Sequence, residues 1–197
     1  MSDREDNSIN KDKAEHPKVE KLKEMEQKER AKARIKKAGL SFPSRPEIPP
    51  ELQEPNGDVK LPEDVTAIPD KKLGQYLSIF NSLASYAQCI VAIADIEKTT
   101  AENIARMAER FEIQDLPKSR RKNEDLRYGS VYLIDYVFDL RQEAIEKRAD
   151  YKMAESVLQS YERAIQSLSR EITRRGNEMK YQSFENNMNN RADYNGQ

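Results

Sequence analysis

The stretch that decides the fold is DKKLGQYLSIFNSLASYAQCIVAIADIEKTTAENIARMAERFE, residues 70–112. No proline interrupts it. Leu73, Phe80, Ala87, Ala94, Ala101 and Ala108 recur every seven residues. Tyr76, Leu83, Ile90, Ile104 and Phe111 keep a second seven-residue register, broken at Glu97. This spacing puts apolar side chains on one face of a helix. Two further registers, Leu77, Ala84, Val91, Ala105 and Ile79, Tyr86, Ile93, Met107, widen that face, most of all between residues 76 and 96. Asp70, following Pro69, is the expected N-cap.

Downstream, Pro117 and the run Lys118-Ser119-Arg120-Arg121-Lys122 predict a basic loop. A second helix is expected over about residues 124–175. There Val137, Ala144, Tyr151, Leu158, Ile165 and Ile172 repeat every seven. Leu126, Leu133, Leu140, Ala154, Tyr161 and Leu168 form the companion register, broken at Lys147. Arg174-Arg175-Gly176 predicts its end, because cations suit a helix C-terminus and glycine suits a left-handed cap. Residues 177–197 are expected to be disordered. Two such helices joined by a loop of about a dozen residues predict an antiparallel hairpin. With the turn near residues 117–120, facing positions should have numbers summing to about 236, so that Ile104 lies near Tyr132.

Upstream, residues 41–69 hold seven of the nine prolines and an excess of acid. Each proline removes a backbone donor and disfavours helix at the residue before it. The segment is expected to be an extended linker, with Leu61, Val65 and Ile68 near its end as tethers to the core. Residues 18–38 predict a charged helix between Pro17 and Gly39, with too few apolar residues to dock firmly. Residues 1–17 are expected to be disordered, and His16, within them, to have no specific role. The domain reading is thus a tail with a basic helix over 1–40, a linker over 41–69, a hairpin domain over 70–176 and a C-terminal tail over 177–197. The fold class is all-α: a long, coiled-coil-like antiparallel hairpin with disordered or extended flanks.

Composition narrows the function. Hydrophobic residues make up 37% and charged residues 35%, with no Trp. That favours narrow helical faces over a broad layered core. The formal net charge of −1 gives no global field for an anionic partner. No catalytic, cofactor-binding or metal-ligating set emerges, since there is one His and one Cys, Cys89, with no His to activate it. No enzyme activity and no cofactor are expected. A reducing, cytoplasmic compartment is expected, as is the absence of a membrane-spanning stretch.

Two binding surfaces are predicted. The wide apolar faces exceed what one partner helix can cover. Tyr76, Ile79, Tyr86, Ile93, Ile134, Phe138 and Ile145 are therefore candidates for an interface with a second copy, in a four-helix bundle, or with another helical protein. Lys28, Arg30, Lys32, Arg34, Lys36 and Lys37, with Lys118, Arg120, Arg121 and Lys122 of the loop, are candidates for nucleic-acid phosphates.

The stretch Leu61–Gly74, running into the first long helix through Tyr86, and Ser167-Leu168-Ser169-Arg170-Glu171-Ile172-Thr173-Arg174-Arg175 resemble parts of a group of small bacteriophage and prophage helical proteins. The likeness covers about residues 61–176. That group has no assigned activity, and its genes lie among those for virion assembly and DNA packaging. The resemblance implies an assembly context, in the bacterial host cytoplasm or the virion, and no functional residues. The reading that follows is a non-enzymatic interaction or assembly protein. The alternative is a nucleic-acid-binding accessory protein.

Overall fold

The structure, a computed structural model, describes residues 16–23, 27–55, 57–116 and 124–194. It is all-α, with no strand among the described residues. Two short helices, α1 (Pro17–Lys23) and α2 (Gln27–Lys37), precede a segment with two 3-10 turns, Pro50–Leu52 and Val65–Ala67. Then come α3 (Asp70–Asp115), α4 (Glu124–Val131) and α5 (Asp135–Tyr194). The chain divides into two compact units, and both long helices contribute to each. Unit 1 combines Met1–Phe42 with Cys89–Glu155; unit 2 combines Pro43–Gln88 with Ser156–Gln197.

In unit 1 the core is made of Ala101, Ala105 and Ala108 of α3, Val131 of α4, Val137, Leu140 and Ala144 of α5, Ile134 between them, and Val19 of α1. Val19, Val131 and Val137 are fully buried. The expectation that residues 18–38 stay solvated therefore needs correcting. A row of alanines on α3 lets a third helix approach closely, so a single valine is enough to seat it. His16 completes the docking. Its carbonyl accepts from Val19 N at 2.8 Å, its Nδ1 accepts from Lys18 N at 3.2 Å, and its ring stacks on Phe111 with centroids 4.2 Å apart. His16 thus has a role, as helix cap and aromatic plug. At the far end of α2, Gly39 takes φ +76°, and the amides of Gly39 and Leu40 bond the carbonyls of Lys36 and Ile35. This is the paired glycine cap that the sequence predicts there.

In unit 2 the core is Leu73, Phe80 and Leu83 of α3, Leu168 of α5, and Ile68. Val59, Leu61 and Val65 of the proline-rich segment pack on it, and Leu52 is buried as well. Residues 43–69 are a cover for this core, not a linker. They keep their fold with few ladder bonds. A tight loop is closed by an isolated bridge between Gln53 and Val59 and by Gly57 at φ +84°; Arg45 pairs with Asp58 at 3.1 Å, and Asp64 caps Thr66 N at 2.9 Å.

The helix ends bring further corrections. Pro69, not Asp70, supplies the carbonyl that opens α3, accepting from Lys72 N and Leu73 N. The Asp70 carboxylate pairs instead with Arg175. α4 and α5 are separated by a turn at Tyr132–Ile134, although neither proline nor glycine occupies it. Val131, Ile134 and Val137 on either side are all buried, so the break is made where the core takes in three apolar side chains in succession. α5 does not stop at Gly176 but continues to Tyr194. Gly176 has no left-handed φ, and Arg174 and Arg175 engage carboxylates rather than the carbonyls of a helix end.

The pairing register also differs from expectation. In unit 1, Glu97 meets Lys147, Glu102 meets Arg148 and Glu109 meets Arg141. Each partner lies eight to fourteen positions further along than the predicted register places it. The expected turn made no allowance for α4, which occupies a part of the chain otherwise assigned to the long helix.

α3 contains an 18-residue window of mean hydropathy 1.5, of which 28% is buried. By length and composition alone it is apolar enough to cross a bilayer, contrary to expectation. Isolated Ser, Asn and Gln residues break up the apolar run but leave its average high. The side chains of Asn81, Ser82 and Ser85 donate to carbonyls one turn back, at 2.8–3.1 Å.

Candidate interaction surfaces

The two polar breaks in the heptads meet. Glu97 and Lys147 sit at positions that the registers bury, and Lys147 Nζ lies 3.2 Å from Glu97 Oε2. Lys28 of α2 approaches the other oxygen at 2.5 Å. Its hydrogen bond, followed by that of Lys147, holds the Glu97 carboxyl below the usual carboxylate range against partial burial. Glu97 in turn raises Lys147. One carboxylate thus ties three helices together. Polar residues at apolar heptad positions do this: they specify partners, because a shifted alignment leaves a charge unpaired.

Elsewhere along unit 1, Arg148 donates to Glu102 through two nitrogens at 3.0 and 2.7 Å. Arg141 pairs with the buried Glu109 and also donates to Tyr132 Oη at 3.0 Å. Tyr136 Oη donates to the buried Glu112 at 2.5 Å. Burying carboxylates without partners is costly, so these pairs are conditions for the core, not decoration.

Unit 2 has one polar clasp. Glu171, buried, accepts from Arg174 at 2.7 and 2.8 Å and from Arg175 at 2.7 Å. Arg174 and then Arg175 hold its carboxyl down at about 2. Arg175 also donates to the Thr66 carbonyl at 2.8 Å and pairs with Asp70. One arginine therefore joins α5, the start of α3 and the cover segment. Periodicity gave no sign of the clasp. The sequence reads Arg174 and Arg175 only as the end of a helix.

The predicted partner residues separate. Ile134 lies in the core of unit 1, where no partner reaches it. Tyr76 and Ile79 pack against the core of unit 2, and Tyr86 and Ile93 are half-buried. Phe138 and Ile145 are open, at 51% and 56% exposure. The sequence missed Met179, Tyr181 and Phe184, which α5 carries past Arg175 at 60%, 74% and 73% exposure. The predicted stop at Gly176 hid them.

The predicted basic residues separate as well. Lys28 is used by Glu97, and Lys32 pairs with Glu29 at 2.8 Å. Arg30, Arg34, Lys36 and Lys37 are exposed. Lys118, Arg120, Arg121 and Lys122 lie outside the described residues. Gln27 at the start of α2 lines an open groove of about 690 Å³ with Asp95, Thr99, Asn103, Arg106 and Arg110 of α3. Among the described residues no three His, Cys, Asp or Glu side chains converge as a metal would require. Cys89 is half-buried and free.

No protein family, curated protein or solved structure matches the chain.

Proposed function

We propose that the chain is a non-enzymatic assembly protein, built as an antiparallel, coiled-coil-like helical hairpin that pairs with a second copy of itself through α5. Support for the hairpin comes from the order of the pairs. Glu97 with Lys147 and Glu112 with Tyr136 in unit 1, and Asp70 with Arg175 and Phe80 with Tyr161 in unit 2, run in opposite directions along the two helices. The observation that carries the function is the set of large apolar side chains that α5 leaves outside the core of each unit: Phe138 and Ile145 in unit 1, and Met179, Tyr181 and Phe184 in unit 2.

Each forgoes on the order of 1.5–3 kcal/mol of burial while wet. A bare helix end of this length is also marginal in water. Tyr181 and Phe184 stand three residues apart, on one face, as anchors of a helix laid against another helix do. The resemblance to phage and prophage proteins adds a context, virion assembly or DNA packaging. On this reading the protein acts in the host cytoplasm or the particle.

Sedimentation equilibrium of the full chain tests the reading. A dimer is expected at tens of micromolar, roughly the range of weak self-association. Phe138→Glu combined with Phe184→Glu should return a monomer with an unchanged circular dichroism spectrum. A wild-type monomer over that range rules out self-pairing and leaves a different helical protein as the partner.

A further inference from the structure

We propose that unit 1 binds the phosphate backbone of duplex nucleic acid along the Gln27 side of α2 and the Asp95–Arg110 stripe of α3. Neither part suffices alone. Residues 27–37 carry six Lys/Arg and one Glu, but ion pairs take two of the cations: Lys28 goes to Glu97 and Lys32 to Glu29. Helical spacing puts Arg30, Arg34 and Lys37 on the same side of α2 as Gln27, about one, two and three turns along. All three are exposed, and no acid among the described residues pairs with them.

On α3, Asn103, Arg106 and Arg110 occupy one stripe by the same three-and-four spacing. They line the groove that Gln27 also lines. Gln27 is therefore the point where the two sets of cations share a side. The one acid in the groove, Asp95, is neutralised by Lys98 at 2.5 Å. Glu102 and Glu109, the nearby acids of α3, are occupied by Arg148 and Arg141.

The surface is thus five unpaired guanidinium and ammonium groups with amide donors between them, on a chain whose net charge is −1. Local segregation of charge, not the overall field, draws the polyanion. The chemistry favours a duplex. Neither the groove nor the ridge contains an aromatic residue on which an unpaired base would stack. The contacts would be to phosphate oxygens and independent of sequence. The site uses none of the apolar side chains that α5 leaves exposed, so a monomer carries it as well as a dimer does.

The test is fluorescence anisotropy of a labelled 20-base-pair duplex of arbitrary sequence, with a 20-nucleotide single strand and phosphatidylglycerol vesicles as parallel probes. Five phosphate contacts give a salt slope of about −4.5 on a log–log plot, or about a five-hundredfold loss of affinity between 50 and 200 mM salt. Arg30→Gln/Arg34→Gln/Lys37→Gln should flatten the slope by about 2.7, and Arg106→Gln/Arg110→Gln by about 1.8. Lys71→Gln/Lys72→Gln/Lys180→Gln, which removes three exposed lysines of unit 2, should leave the slope unchanged. Circular dichroism confirms that each variant is folded. The proposal is overturned by a failure to bind duplex at 50 mM salt, by equal slopes for all three variants, by tighter binding of the single strand, or by binding of the vesicles in place of the duplex.

Discussion

In unit 1 the side of the α3–α5 pair that would otherwise be wet is closed by a helix; in unit 2 it is closed by a chain with seven prolines. The cores differ to match. Unit 1 presents alanines, Ala101, Ala105, Ala108 and Ala144, because a helical cover needs close approach of backbones. Unit 2 presents Leu73, Phe80, Leu83 and Leu168, because an irregular cover meets the helices with scattered side chains. The helical cover is held by burial of Val19, by Lys28 to Glu97 and by the stacking of His16 on Phe111. The proline cover is held by burial of Ile68 and Leu52 and by the reach of Arg175 to Thr66. A segment with few apolar residues can therefore dock if its partner leaves a narrow slot. One that cannot form a helix can dock if its partner supplies the bulk.

The largest expected effect separates the units through burial. Leu168→Ala removes a fully buried side chain from unit 2 and should cost about 2–5 kcal/mol. Amide exchange should accelerate over residues 43–88 and 156–175 while the amides of 101–112 keep their protection. Equal acceleration in both would dissolve the division into units.

Next comes acid. The Glu171 carboxyl is held at about 2 in the folded state, below its ordinary 4.5. Its contribution to unit 2 is complete above about pH 4.5 and is lost as the pH falls to about 2. Amides of residues 59–73 should lose protection across that window. Glu171→Gln should have lost that protection already at pH 7 and show no further loss there. If wild type and variant titrate alike, the clasp does not hold the cover.

Gly39→Ala should cost about 1 kcal/mol, since φ is +76° and only glycine adopts it freely. Its effect should be confined to exchange in α2 and leave residues 43–69 untouched. The smallest effect belongs to the triad. A double-mutant cycle on Glu97→Ala and Lys147→Ala should give a coupling of about 0.2–1 kcal/mol, because both side chains stay partly wet. The sharper reading is specificity: Glu97→Ala should loosen α2 without loosening α3.

Much of this was legible in the chain. The seven-residue spacing predicts the first long helix and the middle of the second, since amphipathic periodicity is a local property of consecutive residues. Glu97 and Lys147 stood out as breaks in two separate registers, and the structure joins them at 3.2 Å. Gly39 marked its helix end for a reason internal to one turn of backbone. What was not legible depends on encounters between distant segments. Val19 is one valine in a charged run, and only the slot between Ala101 and Ala108 makes it a core residue. Gly176 looks like a stop until Arg174 and Arg175 are drawn onto Glu171 and Asp70, after which α5 runs on and exposes Tyr181 and Phe184. The register followed from the placement of α4, which no heptad count predicts. Local helix and cap are set by bonds within a few residues, whereas cover, register and helix length are decided by which distant side chains, apolar and charged, meet as each unit forms its core.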